Sequence, residues 1–168
     1  MKVILYMAIT ANGFIAKTND DTSFVSKEEC DSYSAAVRKA GNVIIGHRTY
    51  DIITKQPEFQ EFKDVKVVII SNKPFETIAK NHIVVDSPKK ALALLNGFEN
   101  VTVAGGAILN ASFLKDNLID EIYLDVEPVL LSKGIPLING SDFEKHLRLL
   151  GTKQITENEI QLHYQVIK

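Results

Sequence analysis

The chain has 168 residues, of which 45% are hydrophobic and 24% are charged, and its formal net charge is −2. This composition is typical of a globular protein of one domain, residues 1–168, and gives no basis for binding nucleic acid or an acidic membrane surface. The chain contains one cysteine, Cys30, which excludes an intramolecular disulfide, and no apolar run as long as a membrane span, so we expect a cytoplasmic protein.

The first predicted elements are a buried strand and a capped helix. The near-continuous apolar run Lys2–Ile9 predicts a strand that is covered on both faces. Ser26 and Glu29 have the spacing of a capping box, and apolar residues follow at helical intervals through residue 40. Gly41 is the predicted end of this helix because glycine readily adopts the left-handed conformation of a C-terminal cap.

Short strands alternate with helices over the next part of the chain. The predicted strands are Val43–Ile45, Lys66–Ile70, His82–Val85 and Val101–Ala104. Ser87 and Pro88 have the pattern of an N-cap and a first helical residue, and the expected buried positions of that helix are Ala91, Leu94 and Leu95. A further helix is predicted over Ala107–Lys115. This alternation is typical of an α/β protein with a mostly parallel sheet.

The pattern changes in the C-terminal third of the chain. Apolar and polar residues alternate over 122–127, which predicts a strand with one wetter face and antiparallel pairing. Leu147–Thr156 and Glu159–Ile167 are predicted to form a closing hairpin. The sequence therefore predicts an α/β fold with a mostly parallel central sheet and an antiparallel C-terminal edge. Ligands of such sheets bind outside the carboxyl ends of the strands.

The strand Val101–Ala104 runs into the pair Gly105-Gly106 and then into a helix. Glycine allows a bulky group to approach the backbone, and the free N–H groups and dipole of a helix N-terminus attract anions. This segment therefore indicates a phosphate site. The alternative is that the pair only forms a tight turn between strand and helix.

Two polar segments follow other strand ends. Arg48 and Thr49, after Gly46 and His47, could bind a phosphate through a guanidinium and a hydroxyl, and the alternative is a surface turn. The segment Ser71-Asn72-Lys73 could bind a second phosphate, such as the 2′-phosphate of NADPH, and a polar turn before Pro74 is at least as plausible. A third loop, at Asn12-Gly13, could bind a nicotinamide carboxamide through its backbone.

In this order and spacing, the segments resemble the dihydrofolate reductase-like superfamily. Within it, the chain is most similar to stand-alone domains related to the C-terminal reductase half of the riboflavin-biosynthesis deaminase–reductase. The resemblance is carried by residues 10–16, 46–50, 70–71, 103–107, 118–122 and 127–136. It implies a three-layer fold, NADPH as cofactor, hydride transfer to a pterin-, folate- or ribosylaminopyrimidine-like heterocycle, and a homodimer.

The resemblance also implies positions for the cofactor. Ala8 and Ile15 would flank the nicotinamide. The cofactor's phosphates would lie near three groups of residues: Gly46, His47, Arg48 and Thr49; Ser71, Asn72 and Lys73 near the 2′-phosphate; and Gly105, Gly106, Ala107 and Ile108 at the pyrophosphate. The scattered histidines, His47, His82, His146 and His163, have no metal-ligand spacing, so no metal is expected.

Two side chains are candidates for the catalytic chemistry. Asn12 occupies a position at which the riboflavin-type reductases usually have a carboxylate. That carboxylate would help to bind substrate or to organise the loop. The folate reductases place an acid on the first helix, and that position falls near Cys30, between Glu29 and Asp31. Asp31 is the candidate proton donor, with a solvated surface acid as the alternative. A second hypothesis for the whole chain is an NADPH-binding sensor or scaffold without turnover.

Overall fold

The computed structural model describes residues 1–56, 59 and 62–168. Its strands are β1 (Lys2–Thr10), β2 (Phe14–Ala16), β3 (Asn42–Gly46), β4 (Lys66–Ile70), β5 (His82–Val85), β6 (Asn100–Val103), β7 (Glu121–Glu127), β8 (Ile135–Pro136), β9 (Leu147–Gln154) and β10 (Ile160–Val166). Its helices are α1 (Lys27–Ala40), α2 (His47–Ile53), α3 (Pro88–Leu94) and α4 (Ala107–Lys115). Among these residues, no helix is both long enough and apolar enough to cross a bilayer.

One sheet of eight strands has the order β5-β4-β3-β6-β1-β7-β10-β9, and β2 pairs with β8 beside it. The strands from β5 to β7 run parallel, whereas β10 is antiparallel to both β7 and β9. The predicted α/β fold with an antiparallel C-terminal edge is thereby confirmed. The crossovers leave the carboxyl ends of β1, β3, β4 and β6 side by side.

Helices cover both faces of the sheet, and this explains the apolar runs in the central strands. On one face, α3 and α4 pack with side chains such as Phe113 onto β1 and β3 residues that include Leu5 and Ile44. On the other face, Val37 of α1 and Tyr50 of α2 pack in a second cluster. A strand that is covered on both sides needs apolar residues at successive positions, because successive side chains point to opposite faces.

The polar face of β7 differs from the expectation. The alternating sequence predicts a solvent-facing side, but Asp125 and Glu127 are only 1% and 2% exposed. Helix α1 lies over this side, and its Ser32 hydroxyl is 3.0 Å from the Tyr6 hydroxyl of β1. In addition, β7 pairs in parallel with β1 on one side and is antiparallel only to β10. The alternation of apolar and polar residues in β7 therefore reflects a polar face that is buried beneath α1.

The helix ends agree with the sequence in part. The Ser26 hydroxyl accepts the Glu29 N–H at 2.9 Å, and Gly41 ends α1 at φ +70°. The second half of the predicted capping box is absent, because the Ser26 N–H donates to Glu127 Oε1 instead. Leu94 was wrongly expected to be buried. Ala91 and Leu95 face the core, whereas the Leu94 side chain points away from it and is 37% exposed.

Candidate functional site

A cleft of about 690 Å³ lies at the carboxyl ends of the parallel strands. Gly46 at the end of β3 and Ile70 at the end of β4 line it, as does the segment Ala104–Gly106 after β6. Loop residues between β2 and α1 and around β8 complete the lining. The site predicted from the strand ends is therefore a real concavity of the size that small-molecule sites have.

Glycines bring two of these strand ends into close contact. The Gly46 N–H donates to the Gly105 carbonyl at 2.9 Å, and Gly105 has φ +90°, a conformation that side chains disfavour. A Cβ at Gly105 would lie 3.1 Å from Met7 Cε, and one at Gly106 would lie 3.4 Å from Thr49 Oγ1. The peptide bond that joins Gly105 and Gly106 is cis. The backbone itself therefore forms this part of the wall.

Helix α4 begins at the same wall. Its N-cap is Gly106, no side chain caps it, and Ala107 and Ile108 line the cleft. The N–H groups of the first turn therefore have no side-chain acceptor, and the positive end of the helix dipole points at the cleft. Because Gly105 and Gly106 also leave the backbone open to a ligand, this arrangement can hold a phosphate without a basic side chain.

The predicted polar segments also reach the cleft. His47, Arg48 and Thr49 line it, as do Ser71 and Asn72. The His47 ring stacks on Phe75 at 3.9 Å between centroids, and its Nδ1 lies 3.3 Å from Ser71 Oγ. The His47 side chain thus connects the ends of β3 and β4.

Other predicted residues lie outside this lining. Lys73 is exposed, and only its backbone contacts Ser71: its N–H donates to the Ser71 hydroxyl at 3.1 Å and its carbonyl accepts from that hydroxyl at 2.7 Å. Ala8 is half-buried on β1 and is absent from the lining, whereas Ile15 belongs to it. The Asn12 amide is held in the loop, since Oδ1 accepts from Thr10 Oγ1 at 2.9 Å and Nδ2 donates to the Leu131 carbonyl at 2.7 Å. These hydrogen bonds connect the loop after β1 with the loop that contains Leu131.

Sequence reasoning missed several residues of the cleft. Met7, Ala16, Asp20 and the segment 134–136 all line it. A Cβ on Gly134 would lie 2.6 Å from the Ala16 carbonyl, so this glycine allows β8 to approach β2. Residues 134–136 lie within the segment 127–136, which resembles the family, and this resemblance was the signal in the sequence that could have indicated them.

A buried acidic cluster lies between α1 and the C-terminal part of the sheet. Its members are Glu29, Asp125, Glu127 and Glu159, which are 5%, 1%, 2% and 9% exposed. Ser26 connects two of them, because its N–H donates to Glu127 and its hydroxyl donates to Glu159 at 3.0 Å. No group of three or more acidic, histidine or cysteine side chains in the described ranges has a geometry that could hold a metal ion.

Hydrogen bonds stabilise one member of the cluster. Asp125 accepts from the Tyr6 hydroxyl at 2.7 Å and from Gln161 Nε2 at 2.8 Å. Burial nonetheless raises the pKa of Asp125, and these two hydrogen bonds oppose that rise. Burial also raises the pKa of Glu127, with Glu159 adding to the effect.

Glu29 is the strongly perturbed acid of α1. Burial, followed by the negative charges of Asp125, Glu127 and Glu159, raises its pKa to about 8. Asp31, the candidate that the sequence indicates, is exposed on α1 and lies outside the cleft lining. Glu29 has the i, i+4, i+8 spacing with Tyr33 and Val37, and this signal could have distinguished the buried acid from its neighbour.

Fold and cleft together define the class: an α/β domain of the dihydrofolate reductase-like kind. The chain belongs to the RibD C-terminal domain family, whose model matches residues 1–161. The uncharacterised protein YwjB of Bacillus subtilis is 31% identical to it, over 97% of each chain.

Solved structures show the same fold. A putative riboflavin biosynthesis protein from Shewanella sp. PV-4 superposes with a TM-score of 0.81 at 20% identity and covers all of both chains. Dihydrofolate reductase from Enterococcus faecalis, solved with NADP(H), superposes with a TM-score of 0.77 at 14% identity and covers 99% of this chain and 97% of its own. The family and these neighbours support an oxidoreductase of the reductase type.

Proposed function

We propose that the protein is an NADPH-dependent reductase that transfers a hydride to a small planar heterocycle, of the pterin, folate or ribosylaminopyrimidine kind. The observation that carries the proposal is that one cleft brings together Gly105 and Gly106, the uncapped start of α4, the polar segments after β3 and β4, and an apolar surface. Supporting observations are the family membership and the NADP(H) complex of the Enterococcus faecalis enzyme.

The residues present fit such a cofactor. A Cβ at Gly106 would enter the space beside Thr49, so the bare backbone leaves room for a pyrophosphate at the N–H groups of α4. Ser71 and His47 would hold the 2′-phosphate at the ends of β3 and β4. Met7 and Ile15 would form the apolar surface next to the nicotinamide.

NADPH, when bound, supplies the hydride, and the protein supplies orientation, exclusion of water and a proton. Reduction of a C=N or C=O bond needs a proton at the heteroatom. We assign this role to Glu29, because a pKa of about 8 keeps its carboxyl protonated at neutral pH; like Asp31, Glu29 lies outside the residues that line the cleft. Asp31 remains a candidate only from its sequence position, since its side chain is exposed.

Two matched variants separate these carboxyls. Glu29→Gln should lower kcat by roughly 100-fold, the usual contribution of a general acid. Asp31→Asn, two residues away on the same helix, should leave kcat within a factor of two. The measurement is NADPH oxidation at saturating substrate between pH 6 and 9. A large effect of Asp31→Asn together with a normal rate for Glu29→Gln would reverse the assignment.

The function itself is tested by NADPH oxidation with pterin, folate and pyrimidine substrates, and with NADH as the alternative cofactor. Turnover with any of these heterocycles supports the reductase. The second candidate is an NADPH-binding protein without turnover, which is favoured by the position of Asn12 and Asp31 outside the cleft. Tight binding of NADPH without oxidation across all substrates would support this second function.

We also propose a homodimer that forms through the C-terminal edge of the sheet. Strand β9 has no neighbour beyond it among the strands of the described residues, and Leu149 and Leu150 are 53% and 47% exposed. Free strand edges with apolar side chains favour association. Leu149→Lys should halve the mass in sedimentation equilibrium, whereas Leu130→Lys, at a 75% exposed leucine before β8, should not. A monomeric wild type would contradict this proposal.

A further inference from the structure

The only lysine or arginine among the described residues that line the cleft is Arg48. Its Nε and Nη2 both donate to Asp20 Oδ2, at 2.9 and 2.7 Å. Asp20 itself lines the cleft, so the cation and the carboxylate that neutralises it belong to the same wall. The second acidic side chain of the lining, Asp86, instead accepts from Lys90, which is outside the lining, at 2.6 Å.

The turn after β2 holds Asp20 in position. The backbone of Asp20 has φ +69°, which is uncommon for a residue with a side chain, and its N–H donates to the Lys17 carbonyl at 3.1 Å. The Asp21 carboxylate accepts from Lys17 Nζ at 2.6 Å and from the Ser23 N–H at 2.7 Å. A locally closed turn thus presents Asp20 to the guanidinium.

We propose that Asp20 competes with a phosphate of the bound ligand for Arg48 and thereby lowers the affinity of the cleft for its cofactor. The inference rests on the proposed function, because the phosphate belongs to the nicotinamide cofactor. A carboxylate and a phosphate accept hydrogen bonds from the same N–H groups of a guanidinium. The two acceptors therefore either exclude each other or share the one cation. Arg48 is 70% exposed and can turn from Asp20 to a ligand without unfolding its surroundings.

A lower affinity for the cofactor affects the rate of turnover. Product release limits the rate of many enzymes, and a carboxylate beside the phosphate site favours release of the spent cofactor. Asp20 therefore acts on affinity and release, not on the hydride transfer itself. Its removal should tighten binding, which is the opposite of what loss of a positioning residue would do.

The test is calorimetric titration of NADPH and, separately, of inorganic pyrophosphate into wild type, Asp20→Asn, Asp86→Asn, Arg48→Gln and the Asp20→Asn/Arg48→Gln double variant. We expect Asp20→Asn to bind about two- to fivefold more tightly, the range of an exposed ion pair. The double variant should bind like Arg48→Gln alone, because Asp20 acts through Arg48. Asp86→Asn removes the same charge without releasing Arg48 and should change affinity less.

Several outcomes would overturn the inference. They are unchanged or weaker binding by Asp20→Asn, equal tightening by Asp86→Asn, and tightening that persists when Arg48 is already absent. Failure of the proposed function is distinguishable, since wild type would then bind pyrophosphate but not NADPH, and the pyrophosphate series would still decide the role of Asp20. If neither ligand binds wild type or Asp20→Asn, both proposals are wrong.

Discussion

Replacing Gly106 with valine should weaken NADPH binding by roughly 100-fold while the protein remains folded. The new Cβ would lie 3.4 Å from Thr49 Oγ1, and the added methyl groups would extend into the cleft beside the first turn of α4. A phosphate would then lose one or two backbone hydrogen bonds, each worth about 1.5–3 kcal/mol to a charged group. Fluorescence titration with NADPH measures the loss.

The matched control for this substitution is Gly151→Val. Gly151 lies on β9, and no atom of the described residues outside its two neighbours is within 4 Å of an added Cβ. This variant should bind NADPH as wild type does. Circular dichroism and thermal melting of both variants verify the fold. If folded Gly106→Val bound NADPH with unchanged affinity, the assignment of the pyrophosphate to this wall would be wrong.

The sequence predicted the cleft well where backbone rules determine it. Buried strands are recognisable from continuous apolar runs, and parallel strands place their carboxyl ends at one edge of the sheet. The segment Gly105-Gly106 and the turn after Gly46 were therefore expected to meet, and the structure joins them by a backbone hydrogen bond of 2.9 Å. These features depend on local composition and on connection geometry, which a single sequence displays.

What the sequence could not provide was the pairing of side chains across long separations. Arg48 and Asp20 are 28 residues apart, and nothing in either segment indicates that one neutralises the other. Asp125 lies in an alternating strand whose polar side usually faces water, and its burial follows only from the position of α1. The difference in burial between Glu29 and Asp31, by contrast, is indicated by the helical spacing of Glu29 with Tyr33 and Val37, and the catalytic role of either carboxyl stays a prediction.

The burial of Glu29 makes a second large prediction, which concerns stability and pH. Its pKa rises from an ordinary 4.5 to about 8 on folding, so the folded protein binds a proton more tightly than the unfolded chain does. The contribution of this group to stability is fully present below pH 4.5 and is lost as the pH rises through 8. Glu29→Gln needs no proton in order to be buried in a neutral form and should therefore be more stable than wild type by roughly 3 kcal/mol at pH 7.

Urea unfolding at pH 5 and pH 8 measures this difference. The gain from Glu29→Gln should be small at pH 5, close to the unfolded pKa of 4.5, because protonating the carboxyl on folding costs little there, and large at pH 8. Asp31→Asn, at an exposed carboxyl on the same helix, should show no such dependence. A gain of equal size at both pH values would show that the charge of Glu29 is not what destabilises the fold.

The two experiments on Glu29 constrain each other. A buried carboxyl that lowers stability at neutral pH is commonly retained because a site uses it. If Glu29→Gln is both more stable at pH 8 and slower in NADPH oxidation, the stability lost to burial is the consequence of keeping a protonated acid beside β7. If it is more stable and equally active, the acidic cluster is separate from the reaction, and the proton must come from water or from a group that lines the cleft.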